Sequence, residues 1–379
     1  MLGLTLRYTS FGSFNVNYRY LTHAHSHVAM LGWVYLMLFT FVIFIFVEQH
    51  RKKYIRLFWV TQIAVLGMLL SFPFQGYGVV SISFSTLHIL CSYVFAFWIW
   101  KDVNNSTDAS TVMLKSALIF MLISTIGVWS LGPIIAIYGS GSTYYDIAIQ
   151  GFLHFQFNGW FLFGALALLI KQLNIENNRL FKSFHLLLIL STIATVALPI
   201  HWFQPHMALI YSNGFGVVIQ WVAVIMLLRL IYVKVKSSRS SWSYLGVLTY
   251  AFVFCSLLFK VLTQGVSLIP ELAGELYQYR NFIVGYIHLA MLGVITGLLL
   301  ASLLKNLQSQ NRKIIQWGFY LFYFGFVTTE FIIFYQALGY YLKNQGMNHY
   351  HGFLFWASTF LASGILCILM GTFTSSFKD

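Results

Sequence analysis

Charge is scarce in this chain. Of its 379 residues only 9 are Asp or Glu, and charged residues of both signs make up 8%. A water-soluble globular domain carries about 25% charged residues, so this protein cannot present a wholly aqueous surface. That excludes a cytosolic enzyme, a disordered chain and a nucleic-acid binder. Cysteine is also sparse: Cys91, Cys255 and Cys367 stand alone. They offer no disulfide framework and no C-x-x-C-H for covalent haem, and they read as small apolar packing residues. The N-terminus lacks the basic-then-apolar order of a cleavable signal peptide.

The abundance lies elsewhere, in 59% hydrophobic and 19% aromatic residues. A bilayer-spanning helix needs about 20 mostly apolar residues. Eleven stretches qualify, here numbered spans 1 to 11: 21–47, 54–72, 79–100, 111–138, 146–170, 182–202, 206–232, 243–264, 280–304, 314–341 and 348–373. They lack the alternation of barrel strands. The connections are short, so residues 1–379 are expected to form a single transmembrane domain, an all-α polytopic bundle in a lipid bilayer.

The net charge of +13 has a simple reading in such a protein. Lys and Arg concentrate in cytoplasmic loops. All but Arg7, Arg19, Lys260, Arg280 and Lys343 fall on one side of the predicted topology. That side is expected to be cytoplasmic, with the N-terminus outside and the C-terminus inside. The opening run Met1-Leu-Gly-Leu-Thr-Leu6-Arg7 resembles the last turns of an apolar helix, which suggests a first span preceding it. A short interfacial N-terminus is the other reading.

The fixed topology sorts the 12 histidines. All but His50 and His185 fall in the outer half: His23, His25, His27, His88, His154, His201, His206, His288, His349 and His351. His27, His88, His154 and His288 lie inside their spans, at a depth of ~12 Å for the 1.5 Å rise of a helix. Ionisable residues within a bilayer are costly and point to function, and neutral imidazole is the commonest protein metal ligand. A histidine layer at one depth suits a haem or a metal cluster.

An internal repeat accompanies the layer. His27-Val-Ala-Met-Leu-Gly32, His154-Phe-Gln-Phe-Asn-Gly159 and His288-Leu-Ala-Met-Leu-Gly293 share H-x4-G on spans 1, 5 and 9. Successive copies lie four helices apart, which predicts pseudo-threefold units of roughly 1–140, 141–270 and 271–379. A glycine past each histidine lets something bulky approach the backbone. His23 shares a helix face with His27, whereas His25 lies about 200° away; His349 and His351 are likewise opposed. Glu330, in Thr328-Thr-Glu-Phe, is the one deeply placed acid. With His88, His349 and His351 it makes a further polar site. No acid-lined path leads from the basic side, which argues against a proton pump.

This pattern resembles subunit I of the haem-copper oxidases and nitric oxide reductases, with a first helix lacking, and is similar to the NnrS-type haem-copper membrane proteins. The resemblance implies that His27 and His288 hold a low-spin b-type haem, with Arg19 and Arg280 facing its propionates. It implies copper or non-haem iron at His154 with His201 and His206. It further implies an oxidoreductase in a bacterial inner membrane, acting on oxygen or nitric oxide. Electrons would come from a donor protein or a quinol, and further membrane subunits would accompany it. The chain departs from the family at Tyr286, where a high-spin haem ligand would stand, at Asn158, and in lacking an adjacent histidine pair. A non-catalytic haem or gas sensor or an assembly partner, and a metal or small-solute transporter, are the other readings of the same histidines.

Overall fold

The structure, a computed structural model, describes residues 1–12, 16–48, 51–103, 106–237, 243–309, 312–343, 346–373 and 375–377. His50, Arg239, Lys378 and Asp379, which the sequence places at the basic end, lie outside the described residues. Among the described residues, 11 helices are long and apolar enough to cross a membrane: Tyr18–Phe46, Arg51–Gln75, Val79–Asp102, Ala109–Tyr138, Thr143–Gln172, Arg179–His201, Met207–Lys236, Tyr244–Leu268, Arg280–Asn306, Lys313–Tyr341 and Tyr350–Phe373. They match the expected spans one for one, extended by a few residues at most ends.

Hydrocarbon offers no hydrogen bonds, so spans must satisfy their backbone internally and cap their ends. Asn17 accepts from the Arg19 and Tyr20 amides, Ser142 from Tyr145, Asn178 from Phe181 and Ser243 from Gly246. These caps set where spans 1, 5, 6 and 8 begin.

Spans 1, 5 and 9 pack against one another at the centre of the bundle. Spans 5 and 9 are buried over 78% and 72% of their most apolar stretch, against 28% for spans 4 and 11. Three arcs surround this centre. Spans 2 to 4 run from span 1 round to span 5, and spans 6 to 8 run from span 5 round to span 9. The third arc holds spans 10 and 11 and a short N-terminal helix, Leu2–Tyr8, which packs between span 11 and span 1. The bundle is therefore a pseudo-threefold trefoil. Nothing in lipid drives apolar helices together as water does, so contact rests on close packing and small residues. Towards the basic end the central helices close through Leu38, Val42, Leu166, Leu169, Leu298 and Leu299, all buried.

The repeat has a backbone signature that a 3.6-residue period cannot reveal. Immediately after His27, His154 and His288 the chain widens into π helix over Val28–Val34, Phe155–Phe161 and Leu289–Thr296. Such segments are rare and concentrate at functional sites. Trp33 donates from Nε1 to Thr296 Oγ1 at 3.3 Å, joining the first π segment to the third. Each repeat glycine admits a neighbour: a Cβ on Gly32 would meet Val65 of span 2, one on Gly159 would meet Phe120 of span 4, and one on Gly293 would meet Phe326 of span 10 and Ser256 of span 8.

Three acids at the basic end are paired there. Lys53 bridges Asp102 at 2.9 Å, Lys234 bridges Glu176 at 2.9 Å, and Lys171 lies 3.7 Å from Asp108. A two-stranded antiparallel ladder joins Leu307–Ser309, after span 9, to Ser375–Phe377, after span 11.

Candidate functional site

The polar residues of the histidine-rich half fall into three clusters, one per arc. In the first arc, His27 donates from Nδ1 to the His23 carbonyl at 2.9 Å. That bond leaves Nε2 unprotonated, 3.4 Å from the Tyr77 hydroxyl. The His27 ring packs on Phe72 at 4.3 Å, and the His23 ring on Tyr77 at 4.7 Å. Buried His88 meets the Leu31 carbonyl of the first π segment through Nε2 at 3.2 Å, with its ring against Tyr35 at 4.6 Å. His27 therefore turns towards spans 2 and 3.

In the second arc, His154 donates from Nε2 to the Thr192 carbonyl at 2.8 Å, and the Asn158 amide lies 3.5 Å from its Nδ1. Both ring nitrogens thus bind span 5 to span 6 and to the next turn of span 5 itself. His201 accepts the His206 amide on Nδ1 at 3.1 Å. His206 in turn accepts the Ala208 amide at 3.2 Å and caps the start of span 7. Tyr286 donates to Gln264 Oε1 at 3.2 Å. The Lys260 ammonium lies 5.2 Å from the Tyr286 ring centre, within electrostatic reach of His154.

In the third arc, His288 presents Nδ1 to Glu330 Oε1 at 3.7 Å. The other titratable groups acting on His288 are Arg7, from the N-terminal helix, and His25. His25 packs close to Gly3 of the same N-terminal helix, as its ring carbon would lie 3.1 Å from a Cβ there. Arg7 donates to the Leu354 carbonyl of span 11 at 3.2 Å. Burial pushes its guanidinium down to about 10, opposed by Tyr350 and Glu330, so it stays charged at neutral pH. Among the described residues the His25 side chain makes no hydrogen bond, and Glu330 Oε1 is the one polar partner of the His288 side chain. The side chain of His288 remains 22% accessible at this depth, and that of Glu330 only 7%.

The His27 ring thus packs on Phe72 and Tyr77, whereas His25 acts electrostatically on His288. The 200° between His25 and His27 was legible, but which of the two faces span 9 was not. Arg19 and Arg280 are exposed, and Arg280 lies over the Tyr18 ring at 5.8 Å, joining the starts of spans 9 and 1. His349 and His351 are exposed at the start of span 11 and do not join Glu330. Among the described residues no three His, Cys, Asp or Glu side chains gather as a metal-holding group.

Sequence reasoning missed Arg7, His25 and Lys260 as interior groups. For Lys260 a signal existed: it is a cation within a span, before the helix end at Gly265, yet it counted only towards the charge of its side. In comparisons with known proteins, no family model and no curated sequence matches the chain.

Proposed function

We propose that this is an integral membrane haem protein holding one b-type haem in the third arc, with His288 and His25 as axial ligands. The observation that carries the reading is the pairing of His288 Nδ1 with Glu330. The carboxylate stands behind Nδ1 at 3.7 Å, and closing to hydrogen-bond distance would fix the tautomer and leave Nε2 for a metal, as carboxylate–histidine–metal triads do. Two imidazoles that make no hydrogen bond, on central spans and with a carboxylate behind one, fit a bis-histidine haem. A haem so held supplies reversible one-electron transfer. Glu330 orients His288, Arg7 offsets the charge of Glu330, and Arg19 and Arg280 are cations available to carboxylates at the same end.

Copper or non-haem iron at His154, His201 and His206 does not fit as well, because His154 spends its Nε2 proton on Thr192 and the other two cap backbone amides. This favours electron transfer or gas sensing over reduction of oxygen or nitric oxide at a second metal. A solute pathway is disfavoured by the leucine and valine plug on the axis. The reading sets the protein in a bacterial inner membrane with its histidine-rich half outward, served by a donor protein or quinol.

The test is an absorption spectrum of the purified protein from a haem-replete host. A b-type Soret band with reducible α-bands is expected at one haem per chain. His25→Ala and His288→Ala should abolish the low-spin signal, while His27→Ala should keep it. A colourless wild type overturns the proposal, and loss in His27→Ala alone returns the second ligand to His27.

A further inference from the structure

The Lys260 side chain is 2% exposed, and its Nζ has no hydrogen-bond partner. It does not snorkel to the membrane surface. No ion pair among the described residues includes it. Its ammonium lies over the face of Tyr286, 5.2 Å from the ring centre. A cation–π contact of this kind is a weak attraction. Leaving an ammonium in a low-dielectric interior without a counter-charge carries a larger desolvation penalty. The aromatic face therefore cannot offset the burial alone.

Nearby groups are arranged as donors or have a donor to spare. The Tyr286 hydroxyl gives its proton to Gln264 Oε1, one turn beyond Lys260 on span 8, which leaves the Gln264 amide nitrogen as a free donor. His154 already points its Nε2 proton at Thr192, so it adds no compensating negative charge. Asn213 ties span 7 to Ser267 at 2.9 Å, so the arc is held shut on its other side.

We propose that Lys260, Tyr286 and Gln264 form a site in the second arc for one small monovalent oxyanion, of the size and shape of formate or nitrate. The anion takes the ammonium as counter-charge and the Gln264 amide as its second donor. The site is separate from the haem site, which lies in the third arc, and its occupancy does not depend on iron.

The experiment titrates formate and nitrate into the detergent-purified full chain by calorimetry, with formamide as the neutral isostere. Wild type should show saturable binding of one anion and no response to formamide. Lys260→Met should weaken binding about tenfold or more, a loss of ~1.4 kcal/mol, and Lys260→Arg should retain it. In anion-free buffer Lys260→Met should melt above wild type, because the unpaired charge has gone. Equal binding in folded Lys260→Met, or an equal response to formamide, overturns the site. Should Lys260→Met not fold, the wild-type titration decides alone: no saturable anion binding overturns it. A colourless protein that still binds formate would defeat the haem reading and leave this one standing.

Discussion

His288 and Glu330 face each other across 3.7 Å, and neither carboxylate oxygen of Glu330 has a hydrogen bond. That separation is beyond hydrogen-bond reach, yet both groups sit in the interior of the bundle. Buried polar groups are nearly always satisfied, and each exception calls for a reason. Here the unsatisfied carboxylate stands behind a histidine on a central span and opposite an arginine brought in by a separate short helix. The arrangement sets a buried acid, a histidine and an arginine together in the third arc.

Glu330→Ala should therefore weaken haem retention. Partners behind a metal-bound histidine typically contribute 10–100-fold to affinity. Competition with an apo-haem acceptor, followed by the Soret band, reads this directly. Glu330→Gln keeps the shape without the charge and should lose less. If Glu330→Ala held haem as firmly as wild type, the carboxylate would have no orienting role.

Arg7 and Glu330 should also be energetically coupled. Each acts on the other across the third arc, and removing either leaves a buried charge uncompensated. A double-mutant cycle with Arg7→Met and Glu330→Gln, followed by denaturant unfolding in detergent, should give a coupling of about 0.5–3 kcal/mol. The double variant should be more stable than the sum of the single losses implies. Simple additivity would separate the two residues.

The spans were legible because 20 apolar residues in a row have one physical meaning in a bilayer. The repeat was legible as H-x4-G, and each of its histidines is followed by a π segment. The arcs into which His25, His27 and Lys260 point were not. Facing depends on which helices close against which, and that is set by contacts between residues far apart in the chain, such as Trp33 with Thr296. The π segments were equally hidden. Val28–Val34 has the apolar composition of any membrane helix, and its extra width follows from its neighbours.

His154 should prove structural. Its Nε2 proton satisfies the Thr192 carbonyl at 2.8 Å inside the bundle. His154→Ala leaves that carbonyl unpaired, at a cost of about 1–3 kcal/mol, with further loss from the space vacated. The melting temperature should fall while the low-spin haem bands remain. If the variant instead kept its stability and lost a bound copper or iron, the residue would be a ligand.

The repeat glycines should not be equivalent. At Gly159 an added Cβ would come within 2.6 Å of Phe120 Cβ, an atom fixed to the backbone of span 4. That helix must move, and overpacking of this kind costs about 1–3 kcal/mol. At Gly32 the obstacle is a methyl group of Val65 at 2.9 Å, which a rotamer change can withdraw. At Gly293 the ring tip of Phe326 at 2.7 Å could swing away, but Ser256 Cβ at 2.9 Å could not. Alanine at these positions should thus destabilise in the order Gly159, Gly293, Gly32, as read by unfolding midpoints in detergent. Because Gly293 lies one turn past His288, its variant should also perturb the haem spectrum, whereas Gly159→Ala should leave it unchanged. Equal midpoints for all three would mean that the π segments yield freely, and that the close approach of the arcs to the central helices is not what holds the trefoil together.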